Sequence, residues 1–166
     1  MDRVLFWVLL LSACVGLCSA CSCFPEQGPE RFCKYDIIVR GTPMAEYKEL
    51  EEPLDHSDPY PEFNSFADWV YAVKVDRAIV MPRNLTTAKT IKIRTPTQDN
   101  LCGSRFALDV DSVFFARVNY DGEVETGLCD PNTPWDSLTK WDQELITDHI
   151  VDFCANRDKP VTPPDP

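Results

Sequence analysis

The sequence predicts an all-β domain with flanking helices, in which five strands form a small closed barrel of the OB type. Short runs rich in β-branched and aromatic residues alternate with turn signals along the chain. One helical pattern precedes these runs and another follows them. Six cysteines lie beyond an apparent secretion signal, which indicates a single domain held together by disulfides.

Residues 1–20 have the pattern of a signal peptide, with Arg3 before an apolar run and the small residue Ala20 at the cleavage point. No stretch of the sequence reaches the roughly 20 apolar residues of a membrane-spanning helix. Cleavage would make Cys21 the first residue of a secreted, extracellular protein. A lipoprotein signal acylated at Cys21 is the alternative, but Cys18 occupies a position where such signals have an aliphatic residue.

The cysteines that remain after cleavage predict three disulfides, because an even number in a secreted chain is typically fully paired. Their spacing leaves the connectivity open. They are Cys21, Cys23, Cys33, Cys102, Cys129 and Cys154. The formal net charge of −11 argues against nucleic acid and anionic membranes as partners, since both require a basic surface.

The first elements are a short helix and a strand. Residues 29–35 predict a helix that begins at Pro29, and residues 36–40 predict a buried strand. Residues 42–65 are rich in proline and acidic side chains and predict a long solvated loop. That loop is either a tolerated insertion or a binding loop.

The central elements are strands. Residues 67–80 predict a long curved strand, and residues 90–94 predict a second one that alternates between apolar and basic side chains. Between them, Asn84-Leu85-Thr86 is an acceptor for N-linked glycosylation at Asn84. Residues 113–120 and 123–128 flank Asp121-Gly122, which predicts a β-hairpin.

The last element is a helix. Thr133 and Pro134 have the pattern of a cap and a first helical residue. Apolar residues at helical spacing would pack this helix on the barrel; they are Leu138, Trp141, Leu145 and Phe153. Residues 155–166 predict a disordered, proline-rich tail, so the domain is expected to span residues 21–154.

The sequence predicts that the protein is not an enzyme and holds no cofactor of its own. His56 and His149 do not lie near a second metal ligand at a useful spacing. No nucleophile elbow, phosphate loop or zinc-protease motif occurs. The acidic residues cluster in the predicted loop, where an acid–base pair could not be held in register.

The segment Cys21-Ser22-Cys23 carries the most specific chemistry. An amino-terminal cysteine offers its α-amine and its own carbonyl oxygen, which together form a five-membered chelate. This chelate can bind a metal ion that another protein already holds. If Cys21 and Cys23 are both in disulfides, the chelate lies on a rigid wedge.

These residues, with later motifs, resemble the amino-terminal domain of the tissue inhibitors of metalloproteinases. The resemblance covers residues 21–154 and comprises Cys21-Ser22-Cys23-Phe24-Pro25, Phe32-Cys33, Asp36-Ile37-Ile38-Val39-Arg40, Thr95-Pro96, Leu101-Cys102-Gly103, Thr126-Gly127-Leu128-Cys129, Pro134-Trp135-Asp136-Ser137-Leu138 and Cys154. It implies a netrin-like OB barrel with the disulfides Cys21–Cys102, Cys23–Cys129 and Cys33–Cys154. The family's second, cysteine-rich domain is expected to be absent.

The resemblance also implies a function, namely inhibition of extracellular zinc metalloproteinases by a monomer. The α-amine and carbonyl of Cys21 would displace the water bound to the catalytic zinc of the target. The amine must be neutral to donate, and its pKa is ordinarily about 8. Ser22 would enter the specificity pocket, and the inhibitory wedge would comprise Cys21, Ser22, Cys23, Phe24, Asn100, Leu101, Cys102 and Gly103.

The alternative function is that of a netrin-like binding module that inhibits nothing and binds an extracellular receptor, growth factor or matrix component. Such modules usually lie inside longer chains, so a free cysteine terminus favours the inhibitor. The sequence departs from the family pattern at Phe24, at residues 27–29 and at residues 100–101. The choice of target protease therefore stays open.

Overall fold

A computed structural model describes Cys23 and residues 28–50, 67–97 and 102–156. The predicted signal peptide and the predicted tail beyond residue 156 lie outside the described residues. Six strands follow a 3₁₀-helix at Pro29–Phe32. They are β1 (Ile37–Leu50), β2 (Ala67–Val80), β3 (Thr90–Pro96), β4 (Ser112–Val118), β5 (Val124–Glu125) and β6 (Thr133–Pro134).

The strands form one mixed sheet in the order β1-β2-β3-β5-β4-β6, and β1 also pairs with β4. The pairings therefore run from β1 through β2, β3, β5 and β4 and return to β1. All are antiparallel except the short pairing between β3 and β5. The predicted strands at 67–80 and 90–94 and the turn at Asp121-Gly122 are confirmed. The second strand of the hairpin, predicted over residues 123–128, is shorter and comprises only Val124–Glu125.

Strands β1 and β4 are buried on both faces where they pair. Consecutive residues of each strand are buried there, and successive side chains of a strand point to opposite sides. On one side, Ile37 and Val39 join Phe114 and Ala116 in a cluster with β2, β3 and β5. On the other side, Ile38 packs with residues of β4 and of the helices. The continuous apolar runs in these strands are what burial on both faces requires.

A second 3₁₀-helix, Trp135–Ser137, leads into the terminal helix. The terminal helix comprises α1 (Lys140–Glu144), a π-helical turn (Leu145–His149) and α2 (Ile150–Asn156). Its apolar residues Leu145, Ile146 and Ile150 pack into the cluster on the Ile38 side of the sheet, which also contains Phe32 and Phe115. The disulfide Cys33–Cys154 links α2 to the chain just after the first 3₁₀-helix.

The prediction that a helix begins at Thr133 is wrong. Thr133 and Pro134 pair with β4 and form β6, because Val113 and Ser112 offer them strand partners. The α-helix begins six residues later in the chain, where the Thr139 hydroxyl accepts from the N–H of Asp142 at 3.1 Å.

The prediction that Trp141 packs on the barrel is also wrong, because its side chain is 63% exposed. Trp141 lies in the first turn of α1, whereas the apolar stripe of the helix begins at Leu145. The π-helical turn that follows has more residues per turn than an α-helix, so α-helical spacing in the sequence does not predict which residues share a face across it.

The predicted loop at 42–65 is wrong for residues 42–50, which continue β1, and residues 51–66 lie outside the described residues. The acidic side chains of this part of β1 have cationic partners: Glu46 lies 3.5 Å from Arg105, and Glu49 lies 2.8 Å from Arg94. Pro43 is accommodated at a β-bulge, where the register shifts between Pro43 and Ala45.

No helix in the described ranges is both long enough and apolar enough to cross a membrane.

Candidate functional site

Three of the eight predicted wedge residues are described, namely Cys23, Cys102 and Gly103. The other five, which are Cys21, Ser22, Phe24, Asn100 and Leu101, lie outside the described residues. Cys23 is exposed and forms a disulfide with Cys129. Cys102 is disulfide-bonded as well, but the pairing with Cys21 that the resemblance implies falls on an undescribed residue. Cys23–Cys129 and Cys33–Cys154 are the other two pairings that the resemblance implies.

Residues 102–109, called here the crossing segment, run over the ends of β2 and β3 and fix the position of Cys102. The N–H of Ser104 donates to the hydroxyl of Thr95 at 2.7 Å, and Thr95 is only 1% exposed. The Phe106 ring meets the rings of Tyr71 and Phe114 edge-on at 5.0 and 5.2 Å. A buried hydroxyl and an aromatic anchor therefore hold the crossing segment on the core.

Burial raises the pKa of the Tyr71 phenol above its ordinary value, and a hydrogen bond from the N–H of Phe106 opposes part of that rise. The phenol therefore stays protonated across the physiological range and supports the crossing segment as a neutral group.

Two backbone features shape the start of the crossing segment. Cys102 has a φ of 59°, in the left-handed region that non-glycine residues rarely adopt. At Gly103 the backbone passes so close to Pro96 that a Cβ built on Gly103 would overlap the Pro96 carbonyl group. Glycine is therefore required at position 103 for close approach.

A second segment, residues 126–132, lies beside Cys102 and is called here the cysteine loop because it contains Cys129. The N–H of Leu128 donates to the carbonyl oxygen of Cys102 at 2.6 Å. The next residue, Cys129, carries the disulfide to Cys23. The cysteine loop thus contacts the crossing segment and binds the amino-terminal segment covalently.

An open cavity of about 870 Å³ adjoins both segments. Its walls include Cys102 and the cysteine loop, and Leu128 is half exposed at its edge. Charged side chains of both signs line it, namely Lys34, Arg94, Arg117, Asp68, Glu125 and Asp130. The surface beside the described wedge is therefore mixed in charge.

Within the described ranges, no group of three or more histidine, cysteine, aspartate or glutamate side chains is placed to hold a metal ion. Asn84 is exposed in the turn between β2 and β3. This turn lies at the opposite end of β3 from Pro96, which contacts the wedge.

Sequence reasoning missed two parts of the site: the Leu128 N–H, which bonds to Cys102, and the carboxylate of Asp130, which accepts from the N–H of Gly127. A signal for the turn was present, because Cys129-Asp130-Pro131-Asn132 combines residues that favour turns. The Cys102 carbonyl that Leu128 bonds to and the Tyr35 hydroxyl that bonds to Asp130 are distant in sequence, so the pattern alone does not reveal these two contacts of the turn.

The sequence model of the family described as tissue inhibitor of metalloproteinase matches residues 19–162 of the chain. The chain is 28% identical over 142 residues to metalloproteinase inhibitor 3 of Scyliorhinus torazame, which covers 85% of the chain and 59% of that relative. It is 27% identical over 158 residues to metalloproteinase inhibitor 2 of Homo sapiens, which covers 92% and 66%.

A third relative, metalloproteinase inhibitor 4 of Mus musculus, is 25% identical over 159 residues, covering 91% of the chain and 66% of that relative. The chain thus spans about three fifths to two thirds of the length of these curated relatives. By their names these relatives are inhibitors and not enzymes, in agreement with the prediction from the sequence. The family model matches most of the chain, and the protein belongs to the tissue inhibitor of metalloproteinase family.

Proposed function

We propose that this protein is a secreted, extracellular inhibitor of zinc metalloproteinases that acts as a monomer. The α-amine and carbonyl of mature amino-terminal Cys21 chelate the catalytic zinc of the target, and Ser22 enters its specificity pocket. The family membership and the names of the relatives support inhibition. The zinc belongs to the target protease, and the chain supplies only the two donor atoms.

One observation carries this proposal: the cysteine loop joins the two described parts of the wedge. It binds Cys23 through Cys129 and contacts Cys102 through the N–H of Leu128. Because Cys21 is two residues before Cys23, the chain allows at most about 7 Å between their Cα atoms. An anchored Cys23 therefore supports the proposal that the chelating residue acts at this edge of the domain.

The strand pairings support the fold that this mechanism needs. Their circuit from β1 through β2, β3, β5 and β4 back to β1 is the connectivity of a five-stranded closed barrel, and we assign it to the netrin-like OB class. In this arrangement β6 is a short addition to the edge of β4. A rigid barrel and covalent anchors lower the ordering cost of binding, which is a general route to high affinity.

The test compares the secreted protein with a variant that carries one additional Ala before Cys21. Inhibition constants are measured against several active zinc metalloproteinases, and intact mass confirms each mature terminus. The added residue moves the α-amine away from the zinc, so we expect inhibition to fall at least about 100-fold with the fold unchanged. A matched control carries one additional Ala after Pro166 and should inhibit like the wild type.

Full inhibition by the variant with the added amino-terminal Ala would refute zinc chelation. Absence of inhibition by a wild-type protein whose terminus is confirmed as Cys21 would favour the alternative, a binding module for an extracellular receptor, growth factor or matrix component. The variant Ser22→Gly separates the pocket from the chelate: we expect weaker inhibition with an unchanged unfolding temperature.

A further inference from the structure

We propose that Asp130 is the positioning residue of the inhibitory wedge. Its carboxylate fixes the cysteine loop, which carries both the disulfide to Cys23 and the N–H that bonds to Cys102. The effect on inhibition rests on the proposed function, whereas the effect on the loop can be measured without any protease.

The Asp130 carboxylate is 7% exposed and lies among hydrogen-bond donors. Its Oδ1 accepts from the Tyr35 hydroxyl at 2.9 Å and from the Arg117 guanidinium at 3.1 Å. Its Oδ2 accepts from the N–H of Gly127 at 2.7 Å and lies 3.2 Å from the hydroxyl of Thr126. A carboxylate surrounded by donors from three parts of the chain is a fixed point in the structure.

The contacts of the cysteine loop follow one another along the chain. Gly127 donates to Asp130, Leu128 donates to Cys102, and Cys129 is bonded to Cys23. The direction of the Leu128 N–H therefore depends on the conformation that Asp130 imposes one residue earlier. Asp130 touches neither a metal nor a protease in this proposal and acts through these backbone atoms.

The base of the cysteine loop is attached to β4 by separate contacts. The Asn132 amide oxygen accepts from the N–H of Phe115 at 2.7 Å, and the Thr126 hydroxyl lies 2.8 Å from the Phe115 carbonyl oxygen. The Asn132 amide nitrogen donates to the Thr126 hydroxyl at 2.7 Å. These side chains occupy the edge of β4 between its pairings with β5 and β6. Loss of the Asp130 carboxylate should therefore disturb the tip of the loop more than its base.

The chemistry of the pocket around Asp130 calls for a carboxylate and not for an amide. The Arg117 guanidinium and the Gly127 N–H can only donate, and they bond to different oxygens of Asp130, so an amide nitrogen in either position would face one of them. The variant Asp130→Asn keeps the shape of the side chain and removes the acceptor from the Gly127 N–H or from Arg117. It is therefore the sharpest substitution, and Asp130→Ala is the second.

The experiment measures amide hydrogen exchange and inhibition on the full secreted chain. In Asp130→Asn, we expect exchange at Gly127 and Leu128 to become at least about tenfold faster, while Phe114 in β4 keeps its wild-type rate. We expect the inhibition constant against a metalloproteinase that the wild type inhibits to rise by about tenfold or more. The exposed Asp152 serves as the matched control, and Asp152→Asn should change neither quantity.

Unchanged exchange at Leu128 in both Asp130→Asn and Asp130→Ala would overturn the role of Asp130. Equal acceleration at Leu128 and Phe114 would also overturn it, because it would show general destabilisation in place of local positioning. A wild-type protein that inhibits no metalloproteinase would refute the proposed function instead, and the exchange measurements would still decide whether Asp130 holds the loop.

Discussion

The substitution Gly103→Ala tests whether the close contact between the crossing segment and β3 sets the geometry of the wedge. A Cβ built on Gly103 lies 2.8 Å from the carbonyl carbon of Pro96 and closer still to its oxygen. Ordinary contact begins at 3.4 Å, so the carbon alone requires a separation of about 0.6 Å between the two backbones. The oxygen requires more.

We expect the movement on the side of Gly103, which lies outside the strands, because Pro96 is paired within the sheet. Pro96 pairs with Asp68 in β2, and the next N–H, that of Thr97, donates to the carbonyl oxygen of Ala67 at 3.0 Å. Functional groups must usually be held within about 0.5 Å of their working geometry. If Cys102 moves with Gly103 by about 0.6 Å or more, its displacement exceeds this tolerance of the proposed wedge.

We expect Gly103→Ala to raise the inhibition constant by about 10- to 100-fold, or about 1.4–2.8 kcal/mol. Overpacking should also lower the free energy of unfolding by about 1–3 kcal/mol. The assays are tight-binding inhibition of an active zinc metalloproteinase and urea unfolding, with the disulfides confirmed by peptide mapping. Both assays are interpreted only for protein whose disulfides match those of the wild type.

Two other glycines provide a graded control. A Cβ on Gly127 would lie 3.0 Å from the carbonyl oxygen of Cys102, so Gly127→Ala should weaken inhibition by only a few fold, in line with a smaller shift. Gly122, at the hairpin turn, has a φ of 82° and no neighbour within 4 Å of a built Cβ. Gly122→Ala should cost about 1 kcal/mol of stability and leave inhibition unchanged. Equal inhibition by wild type and Gly103→Ala would refute the reasoning.

Three further predictions concern the disulfide staple, pH and glycosylation. The double substitution Cys33→Ser with Cys154→Ser opens a link of sequence separation 121 and should lower the free energy of unfolding in urea by up to about 5 kcal/mol; an unchanged midpoint would contradict this. Burial raises the pKa of Tyr71, so the unfolded chain ionises first, and stability should fall as the pH rises above about 10. Urea titrations below and above that pH measure this fall, which Tyr71→Phe should diminish. Enzymatic deglycosylation should reduce the mass of the secreted protein but not that of Asn84→Gln. Both proteins should inhibit equally, because Asn84 lies at the far end of β3 from the wedge. An unchanged mass of the wild-type protein would show that Asn84 is unmodified.

The strands that could be predicted from the sequence are those whose own residues carry the apolar pattern of a strand. β2 and β3 carry an apolar pattern that suits a strand wherever it pairs, and the Asp121-Gly122 signal indicates a turn without tertiary information. The second half of β1 could not be predicted, because its acidic residues read as solvated. Their cationic partners, Arg94 and Arg105, are supplied by distant parts of the chain.

The start of the terminal helix shows a limit of a different kind. Thr133 and Thr139 are each followed by an aspartate three residues later, so local sequence supports a cap at either position. The pairing of Thr133 with Val113 decides between them, and that pairing depends on how β4 is placed. The site shows the same limit: the Tyr35 hydroxyl that Asp130 accepts from belongs to a residue 95 positions earlier in the chain.

The two described disulfides have a consequence for a protein proposed to bind in the active sites of proteases. Cys33–Cys154 encloses every described residue from 33 to 154, and Cys23–Cys129 encloses an overlapping stretch. A single peptide-bond cleavage between Cys33 and Cys154 therefore yields two fragments that remain covalently joined. Such a nicked molecule keeps its intact mass apart from one added water, and it separates into fragments only after reduction. A single cleavage by a target protease between Cys33 and Cys154 would thus leave the two fragments joined by the disulfide.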